Sequence, residues 1–262
     1  GAIRARLKET VLGAPITESP YPHAFIENVF PEDFYWRVRD AVPSRDALFL
    51  YPQKLKRDGT PYAITHETHI INRGYLCAPD NPHLDLWTTF WDGIELIGNL
   101  LEKRFRAYLP AVLRSMYPDD WGRRVMDVET FVETGDMNDG DAEYGIAPHL
   151  DHPYKILTWL FYMPSDDKHL DYGTGINSPW IEEPEKFDAV GSYFAQKLLG
   201  VEFEPHFTAP FLPNSMVVFL NSPISYHGCV GGEGLDRRLF VLSYVNYTQE
   251  SFKIVFRGLD DR

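Results

Sequence analysis

Along the chain the rhythm of apolar residues changes character near residue 124. Before it the dominant period is helical. Leu84, Trp87, Trp91, Ile94, Leu101 and Phe105 recur at steps of three, four and seven, which puts them on one face of a long helix opening after Asn81-Pro82. Pro110 interrupts or ends that pattern, because proline has no amide proton to give the helix. Further upstream, "PHAFIENVF" (22–30) predicts a strand. "PEDFYWRVRDAV" (31–42) predicts a helix with Pro31 in its first turn and acids directly after it. Residues 43–80 are irregular and rich in turn formers, apart from the β-like "AITHETHII".

Beyond residue 124 the rhythm becomes that of strands. "RVMDVETFVET" alternates, and "KILTWLFYMP" and "MVVFLNS" are continuous apolar runs. "RRLFVLSYVNY" and "FKIVFRG" complete the set. Turn clusters at 135–140, 164–175 and 228–234 separate them. Short strands divided by turns, with helices gathered at the front, predict a mainly β, α+β fold: a sandwich or barrel buttressed by helices. No repeat, low-complexity tract or Gly/Ser linker divides the chain. The expectation is one domain over 1–262, with 1–123 as helix-rich support and irregular insertion and 124–262 as the β core.

Composition narrows the function classes. With 262 residues, 44% of them apolar and 15% aromatic, the chain can build a substantial core. The net charge of −13, with basic residues only in short scattered groups, argues against nucleic acid as the main partner. No apolar run is long enough to cross a bilayer, and the first residues lack the apolar core of a secretion signal. Cys77 and Cys229 are too few for a disulfide framework and form no CxxC pair. A soluble, cytoplasmic protein is therefore expected, with its oligomeric state open.

The chemistry concentrates in "GIAPHLDHPYK" (145–155), directly before an apolar run. On a strand or its extension, residues two apart point to the same side, so His149 and Asp151 would face one point while Leu150 turns away. A third ligand from a distant strand would complete a set. His206 and His227 are available, and His227 is better placed, after "MVVFLNSPISY" and before a glycine-rich turn. Two imidazoles and one carboxylate on one face leave positions open and suit Fe(II) oxygen chemistry. Ten residues past His227 comes Arg237, at the head of an apolar strand. A guanidinium there is costly to bury unless it meets an anion, and its planar fork matches a carboxylate.

With HxD (His149, Asp151), a distal His227 and Arg237 ten residues on, the chain resembles the iron(II)- and 2-oxoglutarate-dependent dioxygenases. "PHAFIENVFPEDF" and "HLDHPYKILTWLFYMP" are similar to the prolyl-hydroxylase-like branch. The likeness is specific over roughly 124–248 and loose before that. It implies a double-stranded β-helix (jelly-roll) core, iron held by His149, Asp151 and His227, and the distal carboxylate of 2-oxoglutarate paired with Arg237. It further implies consumption of O2, release of succinate and carbon dioxide, and hydroxylation of an unactivated C–H bond in a small-molecule or peptidyl substrate. Ascorbate is a candidate reductant. Tyr144 and Tyr162 flank the motif and its following strand; each is a candidate contact to the co-substrate, with core packing as the competing role. Many relatives carry Gly-Gly-x-Leu where this chain has "YGTGI" (172–176), a difference that bears on the pocket wall. Asp151 is an acid and not Gly or Ala, which disfavours a halogenating variant.

Plainer readings compete at several positions. His152 would point to the opposite face from Asp151 on a strand, as a neighbour or surface residue. Arg238 sits one residue from Arg237, where a one-residue shift flips the face; hydrophobicity does not decide between them, and the family spacing selects Arg237. "HETH" (66–69) is one residue short of a zinc signature, although 43–80 remains a candidate for a loop over the site. Cys229 reads as a buried filler. Tyr51, Tyr62, Tyr75 and Trp159 could line a pocket or fill the core. No GxSxG, P-loop or GxGxxG is present. Two rivals share the fold: an inactive jelly roll that binds metal or ligand, and a cupin-like metalloenzyme without 2-oxoglutarate.

Overall fold

The computed structural model describes residues 1–43, 49–50, 69–70, 73–108, 110, 129–131, 136–137, 146–151, 155–180, 202–222, 224–230 and 239–245. Their helices, in chain order, are α1 (Ala2–Gly13), α2 (Glu32–Asp40), α3 (Arg73–Leu76) and α4 (Leu84–Phe105). The strands are β1 (His23–Ile26), β2 (Phe49–Leu50), β3 (His69–Ile70), β4 (Glu129–Phe131), β5 (Asp136–Met137) and β6 (Ile146–His149). They continue as β7 (Lys155–Tyr162), β8 (Thr174–Trp180), β9 (Glu202–Thr208), β10 (Ser215–Leu220), β11 (His227–Cys229) and β12 (Leu239–Val245).

Two antiparallel sheets form the core, ordered β1-β10-β7-β12-β4 and β6-β11-β8-β9, with a small sheet β2-β3-β5 beside them. Setting β1 and the small sheet aside, the chain enters one sheet with β4, crosses to the other with β6 and returns with β7. It then makes the β8–β9 pair and crosses again through β10, β11 and β12. The last strand thus lies against the first and third. That is the double-stranded β-helix, or jelly roll.

The sequence pattern explains why β7 and β10 run apolar without a break. Both of their faces are covered. Leu157, Trp159, Phe161 and Met163 of the β7 run join Met216, Val218 and Leu220 of β10 in a cluster with the helices. The intervening Leu160, Tyr162, Val217 and Phe219 fill the space between the sheets with Tyr21, Ile176 and Phe211. Trp159 therefore belongs to the helix-facing core, not to a pocket wall.

α4 buries Trp87, Phe90, Trp91, Ile94, Ile97, Leu101 and Phe105 along one side, as its spacing predicts, and stops before Pro110. Gly93 lets Phe30 approach it closely: a Cβ there would lie 2.7 Å from Phe30 Cε1. α2 follows Pro31, which caps it from outside and does not sit in its first turn. α1 has no counterpart in the sequence pattern. Its buried apolar residues are only Leu7 and Val11, too narrow a stripe to register; α4 holds it through Arg104 Nη1, which donates to the Val11 carbonyl at 2.6 Å.

All three turn clusters run into strands. Residues 136–137 form β5, 174–175 open β8, and 228–229 belong to β11. β9, an edge strand carrying Pro205, was also hidden by its polar sequence "EFEPHFT". Gly173 belongs to this region for a steric reason: a Cβ there would sit 1.7 Å from the Ala209 carbonyl oxygen.

Asn214 pins the helical layer to the start of β10. Its Oδ1 accepts the Phe30 amide at 2.9 Å, its Nδ2 donates to the Phe30 carbonyl at 2.8 Å, and its own φ is 56°. Asparagine tolerates that left-handed conformation better than most residues. Asn214→Ala loses both bonds and keeps the strained backbone. It should destabilise the protein by about 2–4 kcal/mol, read as a lowered midpoint in urea without a change in slope.

Candidate metal centre

The crossings from β6 to β7 and from β10 to β11 fall at one end of the sandwich. There β6 ends at His149 and β7 begins at Lys155, while β10 ends at Leu220 and β11 begins at His227. The register fixes this: Leu220 pairs with Leu157, and His227 pairs with His149 on one side and Ile176 on the other. Directly paired residues of an antiparallel ladder share a face at close range. That is why two imidazoles far apart in the sequence meet, with ring centroids 4.5 Å apart.

Asp151 lies just beyond β6 and is nearly buried, as is His227; their relative exposures are 8% and 6%. One donor atom from each of His149, Asp151 and His227 lies within 4.8 Å of the others. Among the described residues this is the one such group of three or more. His149 is half-buried and forms the more open side.

Each donor is oriented by neighbours. His227 Nδ1 lies 3.1 Å from the Ser225 carbonyl. A carbonyl only accepts, so Nδ1 carries the proton and the Nε2 lone pair is turned inward, 3.9 Å from Asp151 Oδ1. Phe219 packs against the same imidazole, with ring centroids 4.4 Å apart. The other Asp151 oxygen, Oδ2, accepts the Thr158 hydroxyl at 2.5 Å. Asn221 Nδ2 donates to the Asp151 carbonyl at 3.3 Å. Tyr21 braces the segment before His227 by donating to the Tyr226 carbonyl at 2.6 Å. Burial raises the Tyr21 phenol well above its ordinary pKa, partly offset by a backbone hydrogen bond from Asn177 and reinforced by the Asp151 charge. It stays a neutral donor.

Two imidazole nitrogens and one carboxylate oxygen, converging in a largely buried space, are a donor set a divalent transition metal fits. A dication would also offset the cost of burying the Asp151 charge.

The remaining sequence candidates are placed as follows. His206 is exposed on β9 and takes no part in the cluster. Tyr162 is fully buried; its hydroxyl donates to Thr174 Oγ1 at 2.7 Å and accepts the Thr174 amide at 3.0 Å. Cys229 is half-buried and free, as is Cys77. Arg237, Arg238, Tyr144, His152, His66, Tyr51 and Tyr62 lie outside the described residues. Sequence reasoning missed Thr158, Asn221, Ser225 and Tyr21. The one signal available was a polar residue inside each of two apolar runs, Thr158 in "KILTWLFY" and Asn221 after "MVVFL".

No family model matches the chain, and no curated protein sequence matches it either. Solved structures do. A prolyl hydroxylase from Trichoplax adhaerens, in complex with a hypoxia inducible factor oxygen degradation domain peptide fragment, superposes with a TM-score of 0.54 at 11% identity, over 93% of this chain and 90% of that one. A Pseudomonas putida prolyl-4-hydroxylase matches at 12% identity and a TM-score of 0.41, over 94% and 100%. A Burkholderia pseudomallei oxidoreductase of the 2OG-Fe(II) oxygenase family matches at 15% identity and 0.36, over 94% and 90%. The first of these shares the fold. Among the described residues, no helix is long and apolar enough to cross a membrane.

Proposed function

We propose that the chain, as one oxygenase domain over 1–262, is an Fe(II)- and 2-oxoglutarate-dependent hydroxylase. The overall change would convert 2-oxoglutarate, O2 and a substrate C–H into succinate, carbon dioxide and C–OH. The observation that carries this reading is the convergence of His149, Asp151 and His227 inside a jelly roll. These three would hold the iron. Bound there, Fe(II) would supply the oxygen activation that couples loss of carbon dioxide to oxidation of the substrate.

The rest is the protein's work. Asp151 would contribute negative charge and the two imidazoles their lone pairs, so binding of a divalent cation there would compete with protons. Phe219 packs against the His227 ring and Ile176 pairs with His227 in the ladder, which sets apolar residues beside the site. Arg237 is the proposed partner of the distal carboxylate of 2-oxoglutarate. Sequence parity supports it: Leu239, Val241 and Ser243 pair with Tyr162, Leu160 and Thr158. These three β7 positions are on the side between the sheets; Tyr162 and Leu160 belong to that core, and Thr158 reaches Asp151. Arg237 counts with this row. Arg238 counts with Phe240 and Leu242, which pair with Phe161 and Trp159 on the helix side. Tyr144 and Tyr162 are the further proposed co-substrate contacts. For Tyr162 this requires its proton to turn from Thr174.

A substrate that is either a small molecule or a peptidyl side chain fits this reading, the Trichoplax relative being seen with a peptide. Free thiols at Cys77 and Cys229 fit a reducing compartment, and the cytoplasm is the proposed location. The test is succinate formation from 2-oxoglutarate with Fe(II), ascorbate and air, alone and against pools of metabolites and peptides. Turnover that depends on oxygen and disappears in Asp151→Ala is expected. Metal binding with no succinate above the Asp151→Ala background in any pool would favour a non-catalytic jelly roll instead.

A further inference from the structure

We propose that Thr158 and Asn221 are positioning residues that hold Asp151 so that one oxygen alone, Oδ1, faces the metal; this rests on the metal-site reading above. Asp151 lies just past the end of β6. Thr158 is 1% exposed on the inner side of β7, in line with Leu160 and Tyr162. A hydroxyl buried there is costly unless bonded. Its partner is Asp151 Oδ2, at 2.5 Å, while Oδ1 is the oxygen nearer His227 Nε2, at 3.9 Å. With Oδ2 engaged by a proton donor, the carboxylate meets a cation through one oxygen and does not chelate with both. A chelating carboxylate would take one more coordination position, and the site's chemistry needs those positions for other molecules.

Asn221 grips the same residue from behind. Its Nδ2 donates to the Asp151 carbonyl, and its Oδ1 lies 3.1 Å from the Ser225 hydroxyl. That hydroxyl also accepts the Ser222 amide at 2.7 Å, and the Ser225 carbonyl orients His227. One chain of hydrogen bonds therefore runs from Asp151 through Asn221 and Ser225 to His227. It joins two ligands that enter from different strands, and it is complete without any ion.

The experiment is titration of the metal-free full chain with Mn(II), following unbound Mn(II) by electron paramagnetic resonance, alongside the melting temperature of the metal-free protein. Thr158→Val keeps the shape and removes the hydroxyl; affinity should fall by about 10- to 100-fold, the usual effect of losing a group that orients a ligand. Thr158→Ser should restore it to within a few-fold of wild type, a recovery that a purely space-filling role would not produce. Asn221→Ala should weaken binding in the same direction. Thr158→Ala removes the hydroxyl without a β-branched replacement and serves if the valine variant does not fold. Wild-type affinity in the variant without the hydroxyl, or a serine variant as weak as the valine one, overturns the proposal while leaving the metal site standing. A wild-type chain that binds no Mn(II), or binds it equally in Asp151→Ala, overturns the metal site and this proposal together.

Discussion

Asp151→Ala and His227→Ala, made separately, should each lower Fe(II)-dependent succinate formation by more than about a thousandfold, roughly 4 kcal/mol of lost transition-state stabilisation. The magnitude follows from how the centre is assembled. Three donors on two segments meet within 4.8 Å, and no fourth His, Cys, Asp or Glu stands in that group among the described residues. No described residue is therefore placed to replace a missing donor. The loss should also be visible without turnover. A divalent ion that binds only the folded chain adds about 2.7 kcal/mol of stability at a hundred times its Kd, so Mn(II) should raise the melting temperature of the wild type. In either variant the rise should vanish while the metal-free protein still melts cooperatively. A variant that keeps the metal-induced rise would show that the ion binds elsewhere.

Arg237→Ala should raise the 2-oxoglutarate concentration needed for half-maximal succinate formation by about 30-fold or more, with Mn(II) binding unchanged. Removing one partner of a buried, hydrogen-bonded charge pair costs about 2–5 kcal/mol. On the proposed role the cost would fall on the keto acid, whose distal carboxylate the guanidinium would pair with, and the metal donors would be left as they were. Arg238→Ala is the control. Its parity places it with the row that pairs with Phe161 and Trp159, so its effect on the co-substrate should be small. The reverse outcome would mean that the strand slips by one residue before Leu239, which exchanges the two faces.

The pair His149 and Asp151 was legible because the spacing of neighbours in one short segment is a local property. The long helix α4 was legible for the same reason: its apolar positions repeat at helical steps over five turns' worth of chain. His227 was legible as a residue type in a suitable place, but its meeting with His149 depends on β11 pairing with β6, which no local pattern encodes. β8 and β9 escaped because "TGINSPW" and "EFEPHFT" carry residues that form strands poorly. Their pairing with one another and with β11 overrides that preference. Thr158 was hidden inside an apolar run, since its role lies in a hydrogen bond to a residue on the connection leading into its own strand, which the run itself does not reveal. Hydrophobicity could not choose Arg237 over Arg238, because the two alternate rows of β12 are equally apolar in sequence. The choice rests on the family spacing, and the register of β12 against β7 adds a parity argument for it.

The most direct measurement is the visible spectrum of the metal-free chain titrated with Fe(II) and 2-oxoglutarate without oxygen. If His149, Asp151 and His227 hold iron beside a site for the keto acid, a weak charge-transfer band should grow only when both are present. It should saturate at one Fe(II) per chain, in keeping with the one three-donor group among the described residues, and be missing in Asp151→Ala. A wild-type spectrum with no such band, or an equal band in Asp151→Ala, would contradict the assignment.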